Sequence, residues 1–289
     1  MKRNILVTGG AGFIGSHLVR LLVNKYPKYH IINMDVLTYA GNLENLKDIE
    51  QKENYSFVKC DICDYKQVKQ VFADFKIDSV IHLAAESTLD NVLIKKKSYK
   101  DNNTIGTQNL LDSLKNIKLK KFIFSSTASV YKNSTQTLHE KGQTNPDNIY
   151  AKTKYHNENQ IKQFFKNKKT DIYIFRFFNV CSADIVNKIG ELHNPETHFI
   201  PILVNKAIGD KVIKIYGNNH KTPDKTCVRD YIHINDLCSA IIKSIKKKID
   251  IRFNLINLGS GNGYSILQII KTLEIILKKN IKYTFIKKR

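Results

Sequence analysis

The sequence predicts an α/β protein built on a doubly wound parallel sheet, followed by a smaller lobe. Three observations carry that expectation. In the first, Ile5-Leu6-Val7-Thr8-Gly9-Gly10-Ala11-Gly12-Phe13-Ile14-Gly15, three apolar β-formers enter a glycine-punctuated turn and then an apolar-periodic segment. The second is a regular alternation of short apolar runs with helix-spaced segments as far as Phe177. The third is the loss of that rhythm after Asn179, where a Gly-, Asn- and Pro-rich passage begins.

The opening unit reads as strand, tight turn and helix, with Phe13, Ile14, Leu18, Leu21 and Leu22 on the apolar face of the helix. Such a turn aims free helix N–H groups at its occupant, and glycine lets a pyrophosphate approach without meeting a Cβ. A second strand over 31–34 ends on Asp35, about 20 residues after Gly15, where a ribose-binding carboxylate is expected. Together these predict a Rossmann-type dinucleotide site, and an acid at Asp35 with no base beside it favours NAD over NADP. Tyr55–Lys59 reads as the third strand, leading to Asp61, and Val68, Val71, Phe72 and Phe75 mark a helix. A buried fourth strand over 78–83 runs into Ala84-Ala85, and helical spacing follows over 103–117. The fifth strand covers 121–126, a helix 148–166, and the sixth strand Asp171–Phe177. Parallel strands place the ligand crevice at their carboxyl ends, which here carry Gly9, Asp35, Asp61, Ala84-Ala85, Ser125-Ser126-Thr127 and Phe178-Asn179. Beyond them come a helix through Val204, Ala207 and Ile208, a short strand over 213–217, and a helix over 232–245. The predicted division is a cofactor-binding domain, 1–178, with a return segment around 231–258, and a lobe, 179–289.

Composition narrows the function class. The chain has 289 residues, 42% hydrophobic and 25% charged, enough for a full core. Its formal charge of +21 invites a nucleic-acid reading. The lysine clusters at 95–97, 246–248 and 287–289 are short and far apart, so they read as solvated surface, and no nucleic-acid partner is expected. Five cysteines, an odd number, argue against a disulfide framework. Cys60-Asp61-Ile62-Cys63 has no second pair to complete a metal site, so free thiols and no metal are expected. No apolar run approaches a membrane span, and Met1-Lys2-Arg3 leads into the first strand rather than a signal-peptide core. A cytoplasmic protein is expected.

Chemistry enters at Tyr150-Ala151-Lys152-Thr153-Lys154, which puts a phenol and an ammonium at i and i+4 on one helix face. One loop after the fifth strand, Lys154 can reach a ribose, and its charge, with that of oxidised nicotinamide, is expected to lower the Tyr150 pKa. The strand end at Ser125 to Thr127 offers a hydroxyl to share the proton. A bystander tyrosine–lysine pair is the ordinary alternative in so lysine-rich a chain.

The Gly9-x-x-Gly12-x-x-Gly15 spacing and the Thr127, Tyr150, Lys154 set resemble the extended short-chain dehydrogenase/reductase superfamily, in its NAD-dependent epimerase/dehydratase family. Within it, Leu37-Thr38-Tyr39-Ala40-Gly41-Asn42-Leu43 and His82-Leu83-Ala84-Ala85-Glu86-Ser87 look most like dTDP-glucose 4,6-dehydratases. Phe177-Phe178-Asn179-Val180, Gly190-Glu191 through Pro201, and Thr222 through His233 look like UDP-glucose 4-epimerases. The dehydratases carry an acidic pair after the strand-end threonine, to remove the C5 proton and expel the C6 hydroxyl. Here those positions are Ala128 and Ser129, so the resemblance implies the epimerase, which needs only Thr127, Tyr150 and Lys154. It implies NAD contacts at Gly9, Gly12, Phe13, Ile14, Gly15, Asp35, Asp61, Ile62, Leu83, Ala84, Ala85, Ser87, Asn103, Ser125, Tyr150, Lys154 and Phe178, with Ser87 standing where epimerases commonly have lysine. It implies nucleotide-sugar contacts at Thr127, Tyr150, Asn179, Phe199, Tyr216, Arg229 and Arg289, with the arginines on the diphosphate. The ordinary alternative for Phe178, Phe199 and Tyr216 is core packing.

The resemblance therefore implies an NAD-dependent UDP-glucose/UDP-galactose 4-epimerase, expected as a homodimer. A 4,6-dehydratase and a catalytically silent NAD-binding protein are the alternatives. Relatives continue past Arg289, so the resemblance implies a truncated lobe, with Ile269, Ile270 and Leu273 uncovered and UDP-sugar bound poorly.

Overall fold

The computed structural model describes residues 3–87, 99–134, 136–184, 189–193, 196–247 and 252–287. Strand β1 (Arg3–Thr8) lies inside a seven-stranded sheet. On one side it pairs with β2 (Tyr29–Asp35), which pairs with β3 (Tyr55–Lys59). On the other come β4 (Ser79–His82), β5 (Lys121–Thr127), β6 (Asp171–Phe177) and, at the edge, β7 (Phe253–Leu258). Every pairing in this sheet is parallel. The chain thus leaves β1 in one direction and later in the other, which opens a crevice between β1 and β4.

Alternating residues of the strands fill two cores, one on each face, because successive side chains of a strand point to opposite sides. Ile5, Val7, Ile31 and Phe175 pack with α1 (Phe13–Lys25) and α6 (Ile234–Lys246). Leu6, Ile32, Phe122, Phe124 and Ile174 pack with α2 (Tyr65–Asp74), α3 (Gly106–Ser113) and α4 (Ile149–Phe165). Side-chain caps start the helices where the sequence supplies them. Asp64 accepts the Lys66 and Gln67 N–H groups, and Asn148 accepts that of Ala151.

The sequence departs from the structure in three places. The helix expected over 103–117 is a π-wound segment, Tyr99–Ile105, joined to α3, which is capped at Leu114. Gly106 stands at the junction because a Cβ there would come within 2.5 Å of the Ile62 side chain. The helix expected over 232–245 starts at Ile234, since 232 and 233 finish the strand Val228–His233, which pairs with Asn179–Cys181. Ile269, Ile270 and Leu273 are not uncovered. They lie on α7 (Ile266–Leu277) and pack against Leu203 and Ala207 of α5 (Phe199–Ile208) and against Ile213, Ile215 and Ile281. The strand Ile213–Tyr216 pairs with Tyr283–Ile286 beside this third core.

The glycine turn is the tightest contact in the sheet's upper edge. Gly9 has φ +71, and a Cβ there would lie 2.7 Å from the Ala84 nitrogen. A Cβ on Gly15 would lie 2.1 Å from the Gly9 carbonyl oxygen. Neither neighbour is a flexible side chain, so the start of α1 rests on the turn only because Gly15 has none. Gly15→Ala is expected to cost about 2–3 kcal/mol in overpacking, lowering the thermal midpoint by several degrees at roughly 2 °C per kcal/mol for a chain of this size. An unchanged midpoint in a melting experiment would show that this contact does not set the turn.

Candidate active site

A cleft of about 440 Å³ runs along the carboxyl ends of the strands. Of the residues predicted from sequence, Gly9, Gly12, Phe13, Ile14, Gly15, Asp35, Asp61, Ile62, Leu83, Ala84, Ala85, Ser87, Ser125, Thr127, Tyr150, Lys154, Phe178, Asn179 and Phe199 line it. Its two ends differ in chemistry.

At the β1–β2 end, Gly12 N-caps α1 with no side-chain hydrogen bond, so the helix's first N–H groups open towards the cleft. A Cβ on Gly12 would meet only the Gly9 and Ala40 carbonyl oxygens at 3.5 and 3.7 Å, so glycine leaves a cradle there. Asp35, at the end of β2, accepts the Ala11 N–H on Oδ2 (3.0 Å) and the Leu37 N–H on Oδ1 (2.8 Å). The carboxylate is thereby fixed beside the turn, and each oxygen keeps acceptor capacity for a ribose hydroxyl. Asp61 is held likewise by the Cys63 N–H at 2.8 Å. A helix N-terminus for a pyrophosphate and an oriented carboxylate for a ribose fit a dinucleotide such as NAD.

At the β5 end Ser125, Thr127 and Lys154 are buried and Tyr150 is half-buried. The Lys154 ammonium, 2% exposed, donates to the Ser125 carbonyl oxygen at 2.7 Å and lies 5.9 Å from the centroid of the Tyr150 ring. The Thr127 hydroxyl accepts the Ser129 N–H at 3.1 Å, which leaves its own proton free to be donated, and its proximity acts to lower the Tyr150 pKa. The lowering expected for Tyr150 calls on two charges, that of Lys154 and that of oxidised nicotinamide. Burial around the hydroxyl pushes Tyr150 up to about 12, more than Thr127 can offset. The same burial brings Lys154 down to about 7, which weakens the charge meant to stabilise a phenolate.

α4 positions both groups by its own packing stripe. Tyr150 and Lys154 continue into Asn157, Glu158, Ile161 and Phe165, the face turned to the protein interior. Below Lys154, Glu158 accepts two hydrogen bonds from Arg176 of β6 (2.9 and 2.6 Å) and one from Ser126. Asn157 donates to the Asn103 carbonyl and to Thr107, and Thr107 meets His82 Nε2 at 2.9 Å. Burial drives His82 down to about 3, so it is a neutral tie between β4, β1 and the helices.

Three predicted residues are not in the cleft wall. Asn103 is buried behind it, its amide committed to Glu86 N and O and to Thr153, so it shapes the wall instead. Tyr216 is at the edge pairing with Tyr283–Ile286, and Arg229 is exposed with its guanidinium on the Val228 carbonyl. Arg289 lies outside the described residues. Among the described residues, Glu191, His193, His198 and Tyr231 also line the cleft, and sequence reasoning gave them no role. Their signal was the spacing Glu-x-His-x4-His inside a loop.

Residues 5–259 match the model of the NAD dependent epimerase/dehydratase family. The chain is 34% identical over 270 residues to a UDP-glucose 4-epimerase of Halalkalibacterium halodurans, covering 92% of this chain and 78% of that one. It is 35% identical over 283 residues to a dTDP-D-glucose 4,6-dehydratase of Dictyostelium discoideum, covering 94% of this chain but 61% of the dehydratase. The fold superposes on the UDP-glucose 4-epimerase of Bifidobacterium longum, solved with NAD+ and UDP, with a TM-score of 0.90, 32% identity and coverage of 99% and 87%.

A buried ammonium is a liability to the fold, with a sign set by the Lys154 shift. Its charged form is disfavoured in the folded state, so the destabilisation is full below about pH 7. It fades as pH rises towards 10.5, where the unfolded chain loses the proton as well. Lys154→Met is therefore expected to stabilise at pH 6 by about 1–2 kcal/mol net of the lost Ser125 hydrogen bond, or roughly 2–4 °C. Melting without added NAD should show a smaller gain at pH 9, and a gain that grew with pH would contradict the buried-charge account.

Proposed function

The chain belongs to the NAD dependent epimerase/dehydratase family, and from that premise we propose that it inverts C4 of a UDP-sugar, interconverting UDP-glucose and UDP-galactose. It is an NAD-using isomerase. The observation that carries the reading is the hydroxyl–phenol–ammonium set Thr127, Tyr150 and Lys154 at one end of the cleft, with Ala128 and Ser129 in place of acidic residues beside it. A 4,6-elimination needs an acid and a base at that place, and alanine and serine supply neither.

In this reading the nucleotide end of NAD rests on the glycine turn and Asp35, and the sugar lies against Thr127, Tyr150, Asn179 and Phe199. Held there, NAD would supply the acceptor, and then the donor, of the C4 hydride. Tyr150 takes the C4 hydroxyl proton as the C4–O bond becomes a carbonyl, and returns it when the alcohol is restored. With a resting pKa of about 12, Tyr150 holds its proton in the absence of a nearby cation, so deprotonation is coupled to positive charge beside it. Thr127 hands its hydrogen bond to the phenolate oxygen, and Lys154 supplies a partial positive charge and a ribose contact. Rotation of the keto-sugar between the two transfers presents its other face. Tyr216, Arg229 and Arg289 keep their proposed nucleotide-sugar roles only if the lobe brings them to the ligand.

The small third core, separate from the two sheet cores, supports taking 179–289 as a substrate lobe beside the domain 1–178 and its return segment. No helix among the described residues is long and apolar enough to cross a membrane. Cys60, Cys63, Cys181, Cys227 and Cys238 are all free, which supports a cytoplasmic location. The homodimer stays part of the proposal.

Incubation with UDP-galactose is expected to accumulate UDP-glucose, whereas a 4-keto-6-deoxy product from dTDP-glucose would instead establish a dehydratase. Tyr150→Phe is expected to retain NAD through purification and to lose at least ~10² in turnover. Parent-level turnover in that variant would remove Tyr150 from the mechanism.

A further inference from the structure

One wall of the cleft is a loop to which the epimerase chemistry gives no role. It leaves the short antiparallel pair of Ala183–Asp184 with Ile189–Gly190 and ends at His198, the N-cap of α5. Glu191, His193 and His198 all line the cleft, and one donor atom from each lies within 4.8 Å of the other two. Glu191 Oε1 is 3.0 Å from His198 Nδ1 and 4.0 Å from His193 Nδ1. Glu196 acts as a brace beside them, its Oε1 3.5 Å from His198 Nδ1 and 3.6 Å from His193 Nδ1. Its Oε1 accepts the N–H groups of Thr197 (2.8 Å) and His198 (2.9 Å), and its Oε2 accepts that of His193 (3.1 Å). The brace holds the N–H groups of both histidines, and the two imidazoles stand with centroids 5.2 Å apart.

A histidine–glutamate ion pair is the ordinary reading of such a group, and two features weigh against it. Neither His193 Nδ1 nor His198 Nδ1 makes a hydrogen bond, although the His193 side chain is nine-tenths buried. His198 Nδ1 lies 3.0 Å from a carboxylate oxygen and is still misaligned for a hydrogen bond with it. Both Nδ1 atoms thus lack a hydrogen-bond partner although carboxylate oxygens of Glu191 and Glu196 lie 3.0–4.0 Å away. The spacing also fits. An ion with tetrahedral bonds of about 2.0–2.1 Å needs donors roughly 3.3 Å apart, and the two carboxylate–imidazole separations bracket that value. Two imidazoles and one carboxylate suit a zinc-class cation, whereas calcium and magnesium demand more oxygens than this set offers.

We propose that Glu191, His193 and His198 bind one divalent transition cation of the zinc class in the wall of the cleft. Three protein ligands leave a coordination position open towards the cleft, the arrangement of a reactive rather than a closed structural site. The proposal does not depend on which sugar is turned over, because the cation can be measured without substrate.

The test uses the full chain, stripped with a chelator and titrated with zinc at pH 8 against a chromophoric competitor. One equivalent is expected to bind, and His193→Ala and His198→Ala are each expected to weaken it at least ~10-fold. A Cys60→Ser, Cys63→Ser double variant is expected to bind as the parent does. Cobalt(II) in the same site is expected to give visible ligand-field bands without a near-ultraviolet thiolate band. The His198 side chain is 41% exposed, so its removal leaves the fold intact, which circular dichroism and the thermal midpoint verify. Glu191→Gln provides an independent ligand loss if either histidine variant misfolds. No bound equivalent, binding that survives both histidine variants, or a thiolate band would overturn the assignment.

Discussion

The arrangement of the cleft depends on the buried pair between Glu158 of α4 and Arg176 of β6. The two side chains are 7% and 4% exposed and meet at 2.6 Å. Such a pair contributes little net stability over an apolar substitute, but losing one partner strands a buried charge at about 3–5 kcal/mol. Its consequence here is rotational. Glu158 is one turn beyond Lys154 and two beyond Tyr150, so tying it to β6, and through Ser126 to β5, fixes which face of α4 meets the strand ends. Arg176 also lies over the Tyr131 ring at 4.6 Å, and Tyr131 donates to Asn257 of β7 at 2.7 Å. Burial alone would lower the Arg176 pKa, yet Glu158 and Tyr131 outweigh it and hold the guanidinium charged. The chain thus keeps a charged network under the site and two desolvated titratable groups within it.

That contrast explains why the chemistry needs the bound cofactor to start. Burial alone favours a neutral phenol at Tyr150 and drains charge from Lys154. A site with both groups desolvated holds its proton until a cation arrives beside it. The transfer is then tied to occupancy of the cleft, which guards a reactive keto-sugar from being formed out of place.

Much of this was legible in the sequence, for local reasons. The glycine turn and Asp35 are adjacent in a strand–turn–helix unit whose geometry is set by its own residues. Tyr150 and Lys154 are related by helical spacing alone. What escaped reading depends on distant partners. Asn103 has the look of a ligand contact, but its amide is spent on Glu86 and Thr153, which no spacing reveals. At the junction of the π-wound segment with α3, Ile62 leaves no room for a Cβ on Gly106, a contact between residues 44 apart in sequence. Ile269, Ile270 and Leu273 look uncovered until α5 is seen beneath them. In the Glu191, His193 and His198 cluster the Glu196 brace holds the N–H groups of both histidines, and a loop sequence carries no periodicity to announce that.

The central claim is that the hydrogen at C4 leaves and returns inside one closed complex, with Tyr150 moving only the hydroxyl proton. The most direct measurement follows the label in UDP-galactose carrying deuterium at C4, converted in ordinary water. The account predicts UDP-glucose with deuterium retained at C4 and no solvent hydrogen at C4 or C5. Deuterium lost to water from C4, or solvent hydrogen appearing at C5 or C6, would contradict it and point to proton abstraction from carbon.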